Sequence, residues 1–352
     1  MIGPLVGRRA PMKRVGEILV DAFGRVQKAP ANAPRLPPRE ELVNVLEFEE
    51  VAKSLLQPTA HSTIAGGDRT AFDTMTLRPR MCIPTLDLDL TVELFGDRHY
   101  TPIIAGPAAD QRRYHPDAEL ATVRGASAAR AAIVLSSRSS VAVGPLVAEA
   151  KTPLWVSVYA TDRGAARIQA QQARDAGCKV LCITLGAAAD ATRTASLSKA
   201  DWAALDQIGQ GLNLTTVVKG VMSTGDAERA LSAGARGLIV SNHGSTQPGG
   251  APIEVLSSIV DAVRSRAPVL IDGGFRRGHD IVKALILGAR GVLITRPVMW
   301  GLAAYGAHGV QSVLEMLQSD LARQMGALGA SNLAALSRAL IKVHGGRQPA
   351  RS

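Results

Sequence analysis

The sequence predicts an α/β fold, a (β/α)8 or TIM barrel with an N-terminal helical cover. Three observations predict it. Eight short apolar runs, rich in β-branched residues, recur beyond residue 100. Amphipathic segments separate them, and glycine often closes those segments, as at Gly177, Gly234 and Gly288, where a helix C-terminus favours positive φ. Near-continuous apolar strands, each followed by a helix, mark buried parallel strands with crossover helices. Eight such units over about 240 residues match a closed barrel. An open doubly wound sheet is the alternative, but no G-x-G-x-x-G follows the first run.

The elements follow in chain order. Residues 1–40 form a basic, Pro-containing arm. It carries eight Lys/Arg against three Asp/Glu, half of the chain's net charge of +10. Its end, Ala29–Pro38 (APANAPRLPP), is an extended linker, because proline blocks helix and fixes φ. From Arg39 to Leu56 apolar residues recur at spacings of three and four, which predicts a helix. Residues 41–100 as a whole make the cover of the barrel. The barrel, residues 101–345, begins with the runs Pro102–Gly106, Ala131–Ser136, Leu154–Ala160 and Val180–Leu185. It continues with Leu214–Gly220, Gly237–Asn242, Pro268–Gly273 and Gly291–Arg296. Helical segments are expected at Arg163–Ala176, Asp226–Ala235, Ile253–Arg264 and Asp280–Leu287.

Composition narrows the function classes. Of the 352 residues 46% are hydrophobic, which supports a sizeable core and excludes a mostly disordered chain. No run reaches the ~18 apolar residues of a membrane span. Three Trp, four Tyr and five Phe are few for base-stacking platforms, so the basic arm favours a solvated tail over a nucleic-acid or anionic-surface contact. The arm is a poor signal peptide, because Glu17 and Asp21 interrupt its apolar stretch. The cysteines are Cys82, Cys178 and Cys182, an odd number with no C-x-x-C pair. That argues against a disulfide framework or a zinc site and fits a cytoplasmic protein without metal.

In such a barrel the active site lies at the C-terminal strand ends. Polar residues gather there: Ser136 and Ser137, Tyr159, Thr184, Lys219, Asn242 and His243, Asp272 with Gly273 and Gly274, and Arg296. The last two turns are the most informative. Asp272-Gly-Gly-Phe-Arg-Arg-Gly278 sets two glycines and arginines between a strand and a helix, and Arg296 ends the next strand. Glycines let backbone approach closely, and exposed N–H groups with Arg bind phosphate. Either turn alone is an ordinary tight turn with surface Arg; the two in register favour phosphate.

The stretch Val240-Ser-Asn-His-Gly244, the D-G-G-x-R-R-G turn and Arg296-Pro-Val-Met-Trp-Gly-Leu-Ala-Ala304 resemble one family. It is the FMN-dependent 2-hydroxy acid oxidases and dehydrogenases, the glycolate oxidase, lactate dehydrogenase and mandelate dehydrogenase group. The likeness runs from Asn44 to Ala335 and includes Leu77-Arg-Pro-Arg80, His115-Pro-Asp-Ala-Glu119, Leu135-Ser-Ser137 and Val218-Lys-Gly220.

The resemblance implies an FMN-dependent oxidoreductase acting on a 2-hydroxy acid, or on an ester, amide or carrier-bound relative of one. His243 resembles the base that takes the substrate hydroxyl proton while hydride passes to flavin N5. Lys219 matches the lysine beside flavin N1 and O2, and Ser136 and Thr184 match flavin hydrogen-bonding residues. Ala108 belongs to the loop along the isoalloxazine, while Asp272, Gly273, Gly274, Arg276 and Arg296 match ribityl and phosphate contacts. Tyr159 and Arg193 match residues that hold the substrate. A homo-oligomer is implied in the same way. Two alternatives stay open: a flavin-dependent isomerase or dehydratase without net oxidation, and a non-catalytic flavin-binding relative.

Departures concentrate on the substrate side. Thr246 stands where the family has a second carboxylate-binding Arg, and Gly186 where it has the Asp paired with the catalytic His. Thr63 replaces a Tyr of the cover, Ser157 a Gln, and Thr295 a Gly. The segment between Arg193 and Lys219 is short. These departures lead to the expectation that a small free 2-hydroxy acid is not the best substrate.

Overall fold

The computed structural model describes residues 36–67, 69–80, 83–85, 87–186, 207–244 and 250–344, together with Trp202, Leu205 and three short strands nearer the start. The chain divides into two compact units, Met1–Glu41 and Leu42–Ser352. In the first, the strands Lys13–Val15, Ile18–Val20 and Val26–Lys28 pair as an antiparallel sheet. The sequence pattern predicts no element there; strands of three residues are too short to show an alternation.

The second unit is a closed parallel barrel. Its strands are β1 (Ile103–Ala105), β2 (Ala132–Ser136), β3 (Leu154–Tyr159), β4 (Val180–Thr184), β5 (Thr215–Val221), β6 (Gly237–Val240), β7 (Val269–Asp272) and β8 (Gly291–Ile294). They pair in sequence order, and β8 returns to β1 through Val292↔Ile103. Closure excludes the open doubly wound sheet. The strands are buried on both faces, which is why they are continuous apolar runs rather than alternating ones. Inward residues Ile104, Val134, Trp155, Cys182, Val217, Ile239, Leu270 and Leu293 fill the interior with Val92 and Leu94. Phe95 and His99 meet Trp155 edge-on, at 5.3 and 5.8 Å between ring centroids. Cys178 and Cys182 are free and buried, and burial pushes their thiols up to about 11 and about 12.

Among the described residues the longer helices are α1 (Val45–Leu55), α2 (Ala118–Ala128), α3 (Val143–Glu149), α4 (Arg163–Asp175), α5 (Thr224–Ser232), α6 (Pro252–Val263), α7 (Gly278–Ile286) and α8 (Arg296–Ala327). Asn44 caps α1 by accepting from the Leu46 N–H at 2.9 Å, and Glu47 accepts from Val43 N–H at 2.7 Å. The buried stripe of α1 is Val45, Phe48, Val51 and Ala52. α8 breaks at Tyr305 and Gly306, which leave helical φ/ψ. The cover is fastened to the late barrel helices. The Trp300 indole donates to the Ile64 carbonyl (2.8 Å), Lys283 Nζ to the Phe72 carbonyl (2.8 Å), and Arg69 pairs with fully buried Asp280 (2.9 Å). Near the C-terminus Ile341–Val343 pairs antiparallel with Met75–Leu77.

α2 packs on α8 through Gly125, where a Cβ would stand 2.6 Å from Val310 Cβ and overlap the Ala307 carbonyl. Gly125→Ala is therefore expected to destabilise by about 1–3 kcal/mol. The melting midpoint should fall by several degrees in a thermal scan.

Candidate functional site

The C-terminal mouth of the barrel holds a cavity of about 770 Å³. That volume suits a cofactor with a small substrate. Three strand ends define its floor. Lys219 on β5 is buried and lies 2.9 Å from Asp272 Oδ2 on β7. Its Nζ also donates to Ser241 Oγ at 2.9 Å, just past β6. Ser241 in turn donates to Asp272 (3.3 Å) and accepts from the His243 N–H (3.2 Å). The serine hydroxyl is thus the junction of lysine, aspartate and histidine.

His243 has φ +57, a left-handed conformation unusual for a residue other than Gly or Asn. Its Nε2–H donates to the Leu185 carbonyl at 2.8 Å, so Nδ1 keeps the free lone pair. Room for the ring comes from Gly220. A Cβ there would stand 2.8 Å from His243 Nε2 and 2.7 Å from the Leu185 carbonyl. Gly220 sits at φ +107, at a register shift between Lys219 and Val221. The Lys-Gly pair therefore has two tasks: the lysine lines the cavity, and the glycine bulge admits the imidazole. Burial, reinforced by the Lys219 charge, lowers the His243 pKa to about 4; the Leu185 bond and Asp272 oppose this weakly. The imidazole is neutral at physiological pH.

Two guanidiniums follow on the neighbouring strands, after β7 and β8. Arg276 is buried and donates to the carbonyls of Gly66 (2.6 Å) and Phe275 (2.8 Å), with its plane 4.6 Å from the Trp300 ring centroid. Arg296 donates to Gly66 (3.2 Å) and Gly244 (2.8 Å) carbonyls. Burial and the neighbouring Arg296 push Arg276 down to about 10. A Cβ on Gly67 would stand 2.5 Å from Arg296 Nη1 and 2.9 Å from Arg276 Nη2. Paired arginines against glycine backbone form a cradle for a phosphate dianion.

Most residues expected from the sequence converge on this cavity: Ala108, Tyr159, Thr184, Lys219, His243, Asp272, Gly273, Gly274, Arg276 and Arg296 line it. Ser136 does not. It is buried, and its Oγ accepts from the Arg138 N–H at 3.1 Å. Arg193 and Thr246 lie outside the described residues. Ser157 and Thr184 share a 2.8 Å hydrogen bond, and Thr63 Oγ1 lies 2.8 Å from the Tyr114 hydroxyl. Thr295 Oγ1 is buried without a partner, close against Gly106.

Sequence reasoning missed Ser241, Gly220, the Leu185 carbonyl, Tyr114 and Arg138. Ser241 lay inside a quoted motif; its place at the end of β6, beside β5 and β7, was the available signal. A backbone carbonyl leaves no sequence signal.

A lysine–histidine pair beside an arginine cradle at a barrel mouth defines a flavoenzyme site. The known proteins agree. Residues 59–200 and 187–343 match the FMN-dependent dehydrogenase family. The 4-hydroxymandelate oxidase of Amycolatopsis orientalis is 32% identical over 346 residues, covering 84% of this chain and 97% of that protein. The L-lactate oxidase of Nostoc sp. is 33% identical over 349 residues, 83% of this chain and 95% of its own. A crystal structure of mandelate oxidase with 3,3-difluoro-2-hydroxy-3-phenylpropionic acid matches with a TM-score of 0.78 at 33% identity, covering 86% of this chain and all of that one. The chain belongs to the FMN-dependent dehydrogenase family. It is an enzyme and its cofactor is FMN. The cavity fits that group, with an arginine cradle for the phosphate and a buried ammonium for the ring. Among the described residues no helix is long and apolar enough to cross a membrane, and no cluster of His, Cys, Asp and Glu suits a metal.

Arg296→Gln removes one guanidinium from the cradle. The FMN dissociation constant is expected to rise about tenfold to a hundredfold, as measured by the fluorescence of released flavin.

Proposed function

We propose that the protein oxidises a 2-hydroxy acid to the corresponding 2-oxo acid, with His243 as the base. The carrying observation is the neutral His243 ring, held in the cavity by the Leu185 carbonyl and set beside Lys219. Bound FMN supplies the hydride acceptor. His243 takes the substrate hydroxyl proton at Nδ1, because Nε2 keeps its own proton on the Leu185 carbonyl. Lys219, steadied by Asp272 and Ser241, places positive charge where electron density gathers during transfer. On the family likeness Tyr159 and Arg193 hold the substrate, Arg193 through its carboxylate, and Thr184, hydrogen-bonded to Ser157, is paired with Tyr159 in the strand register. Arg276 and Arg296, with Gly273 and Gly274, hold the phosphate and ribityl chain. Free, buried Cys178 and Cys182 support a cytoplasmic setting. A homo-oligomer is proposed on the family likeness alone.

The test is anaerobic bleaching of the flavin absorbance by 2-hydroxy acids and their esters. Bleaching with formation of the 2-oxo product is expected; no bleaching by any of them would overturn the proposal. His243→Asn should slow bleaching by about 10²–10⁴-fold while retaining the flavin.

The pH profile follows from the depressed histidine. kcat/KM should hold its plateau through pH 5 and fall only near pH 4, where the base becomes protonated. The same shift makes the unfolded chain the stronger proton binder between its ordinary value of 6.5 and about 4. Stability contributed by this group is therefore present above pH 6.5 and lost as pH falls to about 4, which chemical unfolding at stepped pH would read.

A further inference from the structure

Almost every cation lining the cavity is already engaged. Lys219 is paired with Asp272, and Arg113 with Asp110 at 3.1 Å. Arg276 and Arg296 are tied to backbone carbonyls. Arg138 differs. It lines the cavity and is exposed, and its guanidinium carbon lies 4.2 Å over the Tyr159 ring. Among the described residues it has no carboxylate or carbonyl partner. The ring holds the guanidinium at the cavity while no described carboxylate or carbonyl takes its N–H donors, and a guanidinium so placed can receive a carboxylate by two parallel hydrogen bonds.

The backbone that carries Arg138 is held from several sides. Its N–H donates to Ser136 Oγ (3.1 Å) and its carbonyl accepts from the Asp110 N–H (2.9 Å). Ser139 Oγ donates to the Ser136 carbonyl at 2.6 Å. Buried Glu119 accepts from the N–H groups of Ser140 (2.9 Å) and Gln111 (3.1 Å), joining this loop to the one after β1. A cation on so firmly held a loop is placed before a ligand arrives, which lowers the ordering cost of binding.

Its position in the ring of strands is informative. The closed order runs β4-β5-β6-β7-β8-β1-β2-β3, so the β2 loop stands four strands from β6 in either direction. His243 follows β6, and Arg138 follows β2. His243 and Arg138 thus line one cavity from opposite sides of the strand ring, so a substrate chain that crosses the mouth from His243 ends on the Arg138 side.

We propose that Arg138 recognises a second carboxylate at the distal end of the substrate, making this enzyme an oxidase or dehydrogenase of 2-hydroxy dicarboxylic acids. The inference rests on the function proposed above and names its substrate class. It gives a role to the cation that the cavity carries after β2.

The test compares 2-hydroxyglutarate with 2-hydroxypentanoate, equal in carbon number, on the FMN-loaded wild type, Arg138→Met and Arg138→Lys. The wild type should prefer the dicarboxylate. Arg138→Met should reduce that preference about tenfold to a hundredfold, through KM rather than kcat, and Arg138→Lys should restore part of it. An unchanged preference would overturn the proposal. So would an equal loss on both acids, because Arg138 would then hold the reacting carboxylate. Calorimetric titration with unreactive glutarate and pentanoate separates this question from turnover. If no 2-hydroxy acid or ester bleaches the flavin, the functional proposal fails on its own account; if others do and 2-hydroxyglutarate does not, the dicarboxylate substrate class is overturned. Glutarate binding that weakens selectively in Arg138→Met would still support the distal site, and binding that does not change would sink it.

Discussion

The site depends on one buried ion pair. A lysine buried without a partner would be too costly to keep charged. Lys219 is kept by Asp272 and Ser241, which come from the two strands that follow its own in the barrel. This arrangement locks β5, β6 and β7 in register at their functional ends. It also sets the electrostatics of His243, because a cation fixed so near the ring opposes a second positive charge. Burial and this charge together make the ring a weak base that stays unprotonated until the pH falls to about 4. Its orientation comes from a backbone carbonyl rather than from a carboxylate.

That carbonyl bears on the largest departure from the family likeness. Gly186 cannot orient an imidazole, yet the preceding peptide does so through Leu185. A neutral acceptor fixes the ring without stabilising its protonated form, whereas a carboxylate would do both. At Thr63, where the cover lacks a tyrosine, the hydroxyl lies 2.8 Å from the phenol of Tyr114, which also lines the cavity.

These substitutions explain what was legible in the sequence and what was not. The barrel strands were plain, because strands buried on two faces are apolar without interruption, and each lies within a residue or two of its expected limits. The arginines and glycines after β7 and β8 were equally plain, because tight turns restrict residue choice strongly. Ser136 was visible as a polar strand end, but only three dimensions show its hydroxyl turned into its own loop. Gly220 was quoted in a motif without a reason, since the imidazole that needs the space lies elsewhere in the chain. Arg138 belongs to no motif that the sequence singled out. Its meaning rests on its stack against Tyr159, on the pairing of the other cations around the cavity, and on the circular order of strands.

The way the cover is fastened bears on how the chain is made. Its anchors, Trp300, Lys283, Asp280 and the strand Ile341–Val343, all belong to the last quarter of the sequence. Yet the segment they hold is synthesised before the first barrel strand. During synthesis the cover therefore waits, its apolar side without a home, until the final two β/α units exist. Contacts of such long sequence separation form late and slowly. The phosphate cradle, which joins Gly66 of the cover to Arg276 and Arg296, is completed in that same closing step. A partly made chain therefore lacks both halves of the cradle in one place, and cofactor capture becomes a report that the whole barrel has been finished.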